Sequence, residues 1–165
     1  GFCKRVEELL ITQSAHKVGA NVVIGRLWGA SGESMPPNPA YAFSNFIISA
    51  LKEKRIKIES GGKVFRRYVD ASEFMEVLIK AAVMGQALTV NSGGPVVEIR
   101  ELADLVAEHL GEVIIARSPE EVTTDDYFPK GDDFEELASI LGVTLSDMKT
   151  QVSRTIQGHL KGAVE

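Results

Sequence analysis

The sequence predicts an α/β fold whose strands run parallel. Along its 165 residues, segments with apolar residues at helical spacing alternate with short apolar segments of strand length. Residues 21–28 form a nearly continuous apolar run, which is typical of a strand buried on both faces of a parallel sheet. Because 44% of the residues are hydrophobic and 25% are charged, the chain can form one sizeable hydrophobic core. The same composition argues against long disordered segments.

Local signals place each helix and strand in turn. Gly19 is a stop for the first helix, Asp70 or Ser72 caps the third, and Thr144 with Asp147 resembles a capping box for the last. The expected helices are 2–18, 41–53, 72–84, 97–110, Asp132 to Gly142 and Thr144 to about 160. The expected strands are 21–28, 55–58, 64–69, 88–91 and 112–116, and residues 29–40 form a loop rich in glycine and proline.

Composition excludes several classes of protein. The net charge of −5 disfavours general nucleic-acid binding, and no apolar run is long enough to span a bilayer. A single cysteine, Cys3, cannot form an internal disulfide, so we expect a reducing, cytoplasmic setting. His16, His109 and His159 are isolated from acidic partners at ligand spacing, which predicts that the chain has no metal site.

Arginines are the strongest candidates for a binding site. Arg66 and Arg67 follow a Gly-Gly turn in an extended segment, and Arg117 follows an apolar strand. Arginine suits bidentate phosphate binding, so these side chains could form an anion clamp in an otherwise acidic protein. The alternative is that they pair with surface carboxylates. Lys4, taken alone, indicates only a solvated charge.

Several motifs in order resemble the extended short-chain dehydrogenase/reductases, specifically the NAD-dependent epimerases and dehydratases of nucleotide-activated sugars. Residues 62–73, Gly-Lys-Val-Phe-Arg-Arg-Tyr-Val-Asp-Ala-Ser-Glu, are similar to that family's late Gly-x-x-x-Arg-x-aromatic motif, which precedes an acidic helix start. The other matching segments are Arg26–Gly29 with Gly32, Asn45–Ile47, Val90–Gly93 with 99–102, and Gly1–Lys4, where Lys4 matches the lysine of Tyr-x-x-x-Lys.

The resemblance implies the carboxyl-terminal half of a Rossmann-like fold: its last parallel strands plus a small substrate-binding domain. We expect one unit cut from a longer chain, with residues 1–40 and 85–95 derived from the Rossmann part. Residues 41–84 and 96–165 would form mainly the substrate-binding region. The catalytic tyrosine would lie one position before Gly1, and the glycine-rich dinucleotide loop would lie further upstream.

The resemblance also implies roles for four residues. Lys4 resembles the lysine that holds the nicotinamide ribose of NAD (or NADP) and lowers the catalytic tyrosine's pKa. Arg66 resembles the arginine that binds the substrate's diphosphate, Arg117 matches a second such arginine less closely, and Asn45 is a candidate substrate contact. Without the upstream half, we expect the chain alone to be inactive and to bind no NAD tightly.

Departures from the family pattern leave the substrate open. Gly29 stands where the family usually has an asparagine, and Pro119 and Glu120 replace a common Gly-Asp. Three other functions therefore remain: a sugar-nucleotide lyase or reductase of the same superfamily, a non-catalytic binding or regulatory member, and a helix-rich assembly module.

Apolar residues cover more than one side of the first helix. One side would cover the strand at 22–28, and the other would meet a partner helix, as in the resembled family. We therefore expect a homodimer formed through helix 2–18, strand 22–28 or both.

Overall fold

A computed structural model describes residues 1–162, in which helices alternate with short strands. The helices are α1 (Phe2–Val18), α2 (Ala42–Glu53), α3 (Ala71–Val83), α4 (Ile99–Leu110), α5 (Asp133–Ile140) and α6 (Met148–Gly162). The strands are β1 (Val23–Arg26), β2 (Ala30–Ser31), β3 (Arg55–Ile58), β4 (Lys63–Arg67), β5 (Val69–Asp70), β6 (Leu88–Asn91), β7 (Val96–Glu98), β8 (Ile114–Arg117) and β9 (Thr124–Asp126). Within these residues, no helix combines the length and the apolar character that crossing a membrane requires.

Parallel pairing dominates the sheets, as the sequence predicts. β1 pairs with β6, β2 with β5, and β3 with β8, all in parallel. Strand β4 lies at the centre of a three-stranded sheet, antiparallel to β7 and parallel to β9. Because the parallel partners are distant in sequence, helical crossovers connect them, and the α/β class is confirmed.

Two hydrophobic clusters hold these elements together. The first lies between α2, α4, α6 and β3, and its fully buried members include Ile47, Ile56 and Leu102. The second lies between α3, α5 and β6 and includes Val77 and Phe134. Periodic apolar residues on the helices supply most of both clusters, which is why the sequence places the helices well.

Helix caps confirm one sequence prediction and correct another. Asp70 caps α3: its Oδ1 accepts hydrogen bonds from the backbone N–H groups of Ser72 (2.9 Å) and Glu73 (3.4 Å). The capping box expected at Thr144 is wrong. Asp147 is itself the capping side chain, accepting from the Thr150 N–H at 2.8 Å, so α6 begins one turn later than expected.

Three strands were not predicted, and one prediction was too long. Strand β2 lies within the expected loop 29–40, where its pairing with β5 makes it a strand. The expected helix at 97–110 is preceded by β7, and the loop after β8 contains β9, whose residues Thr124–Asp126 are polar and exposed. The strand expected at 21–28 is limited to β1, which is half-buried rather than buried on both faces. Backbone pairing with β4 makes strands of β7 and β9. Strand β9 has no apolar residue, and the two valines of β7 are too short a run to predict a strand.

Gly94 offers a test of the packing between β5 and the turn that precedes β7. Its φ is +94°, and a Cβ there would overlap the carbonyl oxygen of Tyr68. Gly111, which ends α4, has φ +64° and open space around it. We expect Gly94→Ala to lower the free energy of unfolding by about 2 kcal/mol more than Gly111→Ala, because both bear backbone strain and only the first adds overlap. Urea unfolding of the two variants measures this difference, and equal losses would contradict the packing described.

Candidate functional site

A cleft of about 940 Å³ lies between α2 and β4. Its walls are the segment after β1, the start of α2, the end of β3, strand β4 and the inner face of α6. A cleft of this size is within the usual range for small-molecule sites. Its position follows from the crossovers, which bring the ends of distant strands together.

Arg66 is one of three cationic residues that line the cleft, together with Lys57 and Arg67. Its Nη2 donates to Asp125 Oδ2 at 2.7 Å, and its Nη1 donates to the carbonyl oxygen of Phe65 at 2.8 Å. The guanidinium carbon lies 5.7 Å from the ring centroid of Tyr127. The Asp125 side chain is 59% exposed, so this ion pair is open to water and to a competing anion.

Arg67, the next residue, has a different role. Successive side chains of a strand point to opposite faces, and the Arg67 guanidinium is buried in a network. It donates to the carbonyl oxygens of Gly94 (2.8 Å) and Gly131 (2.6 Å), and to the carboxylates of Asp132 (3.0 Å) and Glu135 (2.8 Å). Of the two adjacent arginines, Arg67 therefore fastens β4 to the chain around it.

Aromatic side chains form much of the remaining surface. Trp28 and Tyr127 pack with ring centroids 5.2 Å apart, and Trp28 Nε1 donates to Asn91 Oδ1 at 3.1 Å. Tyr68 packs edge-on against Phe43 at 5.1 Å. Burial raises the pKa of Tyr68 to about 12, against a smaller lowering by the Arg66 charge, so its phenol stays protonated at neutral pH. These rings offer flat apolar surfaces beside a cation.

His159 reaches the cleft from α6. It is 3% exposed, and its Nδ1 lies 3.0 Å from the carbonyl oxygen of Thr155. Its Nε2 lies 2.7 Å from Ser44 Oγ on α2. Burial lowers the pKa of His159, against a smaller raising effect of its bond to Thr155, so the ring is neutral at pH 7.

The four residues singled out from the sequence lie in different places. Arg66 and Asn45 both line the cleft, and Asn45 Oδ1 accepts from Ser49 Oγ at 3.0 Å. Arg117 is not among the lining residues: its guanidinium pairs with Asp104 of α4, although its backbone pairs with Ile58, which lines the cleft. Lys4 is also outside the lining, on an exposed part of α1, where its Nζ pairs with Glu7 at 3.0 Å.

Curated relatives share moderate sequence similarity with most of this chain. The chain is 26% identical over 140 residues to UDP-glucuronic acid decarboxylase 3 of Arabidopsis thaliana, an alignment covering 84% of this chain and 41% of that protein. UDP-glucuronic acid decarboxylase 6 of the same plant matches at 26%, with 84% and 40% covered. The chain thus spans about two fifths of the length of these relatives, and no family model matches it.

Superposition on solved structures identifies the fold of this chain. A UDP-glucose 4-epimerase of Thermotoga maritima, determined with UDP-glucose, superposes with a TM-score of 0.76 at 18% identity, covering 100% of this chain and 54% of that one. An RMD of Pseudomonas aeruginosa complexed with NADPH superposes with a TM-score of 0.70 at 18% identity, covering 94% and 54%. This chain has the fold of about half of an extended short-chain dehydrogenase/reductase. The predicted resemblance is thereby confirmed at the level of the fold.

Within this extended short-chain dehydrogenase/reductase fold, the residues present do not by themselves fit a dinucleotide. Lys4 is the one residue that the family motif assigns to the cofactor, and it lies apart from the cleft on an exposed helix face. In residues 1–162, no group of three or more His, Cys, Asp or Glu side chains is arranged to hold a metal ion. What these residues provide is a cleft with one accessible guanidinium, aromatic rings and polar side chains of α2.

Three residues of the site were not predicted from the sequence: Trp28, Tyr127 and His159. Tyr127 follows the unpredicted strand β9, and only the pairing of β9 with β4 brings it beside Arg66. His159 and Ser44 are 115 positions apart. One local feature could have pointed to His159. It lies four residues after Thr155 in a helix, a spacing that lets the imidazole bond to the Thr155 carbonyl oxygen.

The buried imidazole predicts a pH dependence of stability. The folded state lowers the pKa of His159 below its ordinary value of about 6.5, so the unfolded state binds the proton more tightly. The stabilisation is complete above pH 6.5 and is lost as the pH falls through 6.5 towards the folded-state value. Urea unfolding between about pH 7.5 and 5.5 will show a smaller loss for His159→Gln than for the wild type. Parallel pH profiles for the two proteins would contradict this.

Proposed function

We propose that this chain forms the substrate-binding part of an NAD-dependent enzyme that modifies a nucleotide-activated sugar, with Arg66 binding the diphosphate. The observation that carries the proposal is the Arg66 guanidinium in the wall of a cleft of suitable size, within this fold. The similar solved structures include proteins determined with UDP-glucose, which supports a ligand of that class.

The physical case for a diphosphate rests on what Arg66 already binds. Its Nη2 holds a carboxylate oxygen of Asp125, an exposed anion that a diphosphate could displace without burying a new charge. A planar guanidinium donates two parallel hydrogen bonds to phosphate oxygens, a stronger arrangement than a single neutral bond. The adjacent Trp28 and Tyr127 rings would pack against flat or apolar parts of the same ligand.

Asn45 and Arg117 are the other two residues of the proposed substrate site. The structural observations that support each of them differ. Asn45 lies on the cleft wall with its amide near solvent, where it can bond a sugar hydroxyl. Arg117 would have to leave Asp104 to reach the ligand. Its side chain is 41% exposed, and Ile58, its backbone partner, lines the cleft.

The reaction class stays open among members of the superfamily. In the whole enzyme, NAD or NADP would supply a hydride acceptor. The family motif assigns Lys4 to the ribose of that cofactor, although Lys4 lies outside the cleft of this chain. The similarity to UDP-glucuronic acid decarboxylases favours the lyase alternative to an epimerase or dehydratase. A non-catalytic binding member would use the same cleft. We further propose a cytoplasmic location, because a free, exposed cysteine such as Cys3 is typical of a reducing compartment.

Replacing Arg66 tests the diphosphate site. We expect Arg66→Ala to weaken binding of UDP-glucose by about 2 kcal/mol, because a charge-assisted hydrogen bond is lost. Arg66→Lys keeps the charge but not the fork, and should lose less. Isothermal titration measures both, with Arg5→Ala on the exposed face of α1 as the matched control.

The same titration shows whether Arg117 contacts the diphosphate of the ligand. If its guanidinium reaches the diphosphate, Arg117→Ala weakens binding, whereas unchanged affinity would leave it only its pair with Asp104. Equal affinities of Arg66→Ala and Arg5→Ala would contradict the proposed function. Titration with UDP-glucuronic acid alongside UDP-glucose separates a decarboxylase-like preference from an epimerase-like one.

Cofactor binding gives an independent prediction. We expect titration of this chain with NAD or NADP to show no micromolar affinity, and a coupled assay to show no oxidoreductase activity. The reason is that the glycine-rich turn which anchors a dinucleotide's pyrophosphate is absent from this sequence. Micromolar affinity for NAD would contradict the proposal that this chain supplies the substrate-binding part and not the dinucleotide-binding part.

The exposed face of α1 supports self-association. Helix α1 has no buried residue, and five of its large apolar side chains are at least half exposed: Phe2, Leu9, Leu10, Ile11 and Val18. Its hydrogen-bonded link to the sheet is Glu8, which accepts from Arg26 Nε at 2.8 Å and Nη2 at 2.6 Å. An apolar surface of this kind seldom stays in water, so we propose that a second copy covers it.

Light scattering tests this assembly. We expect twice the 17.9 kDa mass of one chain at tens of micromolar, and a shift towards the single-chain mass in Leu10→Glu. Met75→Glu, at an exposed apolar position of α3, is the matched control and should leave the mass unchanged. A wild type of 17.9 kDa under these conditions would contradict the dimer.

A further inference from the structure

One wall of the cleft is an irregular segment that has few bonds of its own. We call residues 32–41 the wall segment; Met35, Pro36, Pro39, Ala40 and Tyr41 line the cleft. Its three prolines, Pro36, Pro37 and Pro39, lack backbone donors, so the segment cannot hold itself by regular pairing. Something outside the segment must fix its shape.

Helix α6 supplies the fixing contacts near the start of the segment. Thr155 Oγ1 accepts from the Gly32 N–H at 2.8 Å, and Gln151 Oε1 accepts from Ser31 Oγ at 2.6 Å, just before it. Lys161 pairs with Glu33, and the backbone of Glu33 lies so close to Gly158 that a Cβ there would overlap it. The first half of the wall segment is therefore docked directly on α6.

His159 controls the second half through Ser44. The carbonyl oxygen of Thr155 can only accept, so the hydrogen of the neutral imidazole is on Nδ1 and Nε2 is the acceptor. Ser44 Oγ must then donate its single hydrogen to Nε2 across 2.7 Å. That leaves an Oγ lone pair for the Asn38 N–H, which donates to it at 2.8 Å. These three hydrogen bonds have mutually consistent donors and acceptors, and together they connect α6 to Asn38.

Asn38 passes this constraint on to the cleft lining. Its Oδ1 accepts from the Ala40 N–H at 3.0 Å, and its carbonyl oxygen accepts from the Tyr41 N–H at 3.2 Å. The positions of Ala40 and Tyr41 thus depend on Asn38, and Asn38 depends on the hydroxyl that His159 orients. The chain His159–Ser44–Asn38 reaches the surface that a ligand would touch.

We propose that His159 is a positioning residue: by orienting the Ser44 hydroxyl, it sets the shape of the wall segment and so the fit of the ligand in the cleft. This inference rests on the proposed function for the identity of the ligand, and on the contacts above for the positioning. It gives the carboxyl-terminal helix a role in ligand selectivity, although none of its polar atoms needs to touch the ligand.

Nuclear magnetic resonance of the ligand-free chain tests the positioning directly. Long-range ¹H–¹⁵N spectra at pH 7.5 should show His159 protonated on Nδ1 with an unprotonated Nε2. The Asn38 amide should shift and exchange faster with solvent in Ser44→Ala and in His159→Phe, which keeps the ring volume without the acceptor. His159→Gln, whose amide oxygen can accept from Ser44, should restore most of the wild-type Asn38 signal. Asn38 signals that are identical in the wild type, Ser44→Ala and His159→Phe would overturn the proposal.

Binding then tests the consequence for the ligand. We expect Ser44→Ala and His159→Phe each to weaken UDP-glucose binding about fivefold, the double variant to lose no more than either, and His159→Gln to recover most of the affinity. His16→Phe, on exposed α1, is the matched control. Unchanged affinity in both single variants would overturn the role in ligand fit. If the wild type bound no UDP-glucose, the proposed function would fail, while the ligand-free spectra would still decide the positioning.

Discussion

The buried guanidinium of Arg67 is the interaction on which the site depends. It joins β4 to the turn before β7, to the loop around Gly131 and to α5, through backbone carbonyls and two carboxylates. A buried charge is costly to desolvate, and it is tolerated here because its donors are paired with good geometry. Strand β4 is thereby held in one register.

That register determines what Arg66 can do. Because neighbouring side chains of a strand alternate, fixing Arg67 in the interior directs Arg66 to the other face, beside Asp125 and the Tyr127 ring. Strand β9 contributes to both features: it pairs with β4 and supplies the carboxylate that Arg66 binds. Of the two adjacent arginines, Arg67 holds the strand in place and Arg66 lines the cleft.

Periodicity made most of the fold predictable from the sequence. Helix α1 and strand β6 have the predicted bounds, because apolar spacing and flanking glycines define them locally. β2, β7 and β9 were missed, because each is only two or three residues long and is made a strand by pairing with β5 or β4. The start of α6 was misplaced because Thr144 and Asp147 both suit a cap, and in the structure Asp147 is the one that accepts from a backbone N–H of the first turn, that of Thr150.

The site was less predictable than the fold. Arg66 and Asn45 could be proposed because a family motif marks them, and both line the cleft. Tyr127, Trp28 and His159 join the cleft through contacts between distant segments, which no local pattern announces. For Arg117 and Lys4, the motif assigns a role, whereas in this structure their side chains pair with neighbouring carboxylates.

The proposed function requires a nucleotide sugar to bind in the cleft between α2 and β4. Amide shift mapping of the ¹⁵N-labelled chain during titration with UDP-glucose locates that binding residue by residue. We expect the shifted amides to cluster at the cleft, including Tyr41, Asn45, Arg66 and Tyr127, with the amides of exposed α1 unmoved. Shifts confined to α1 or α3, or none at saturating ligand, would contradict the account.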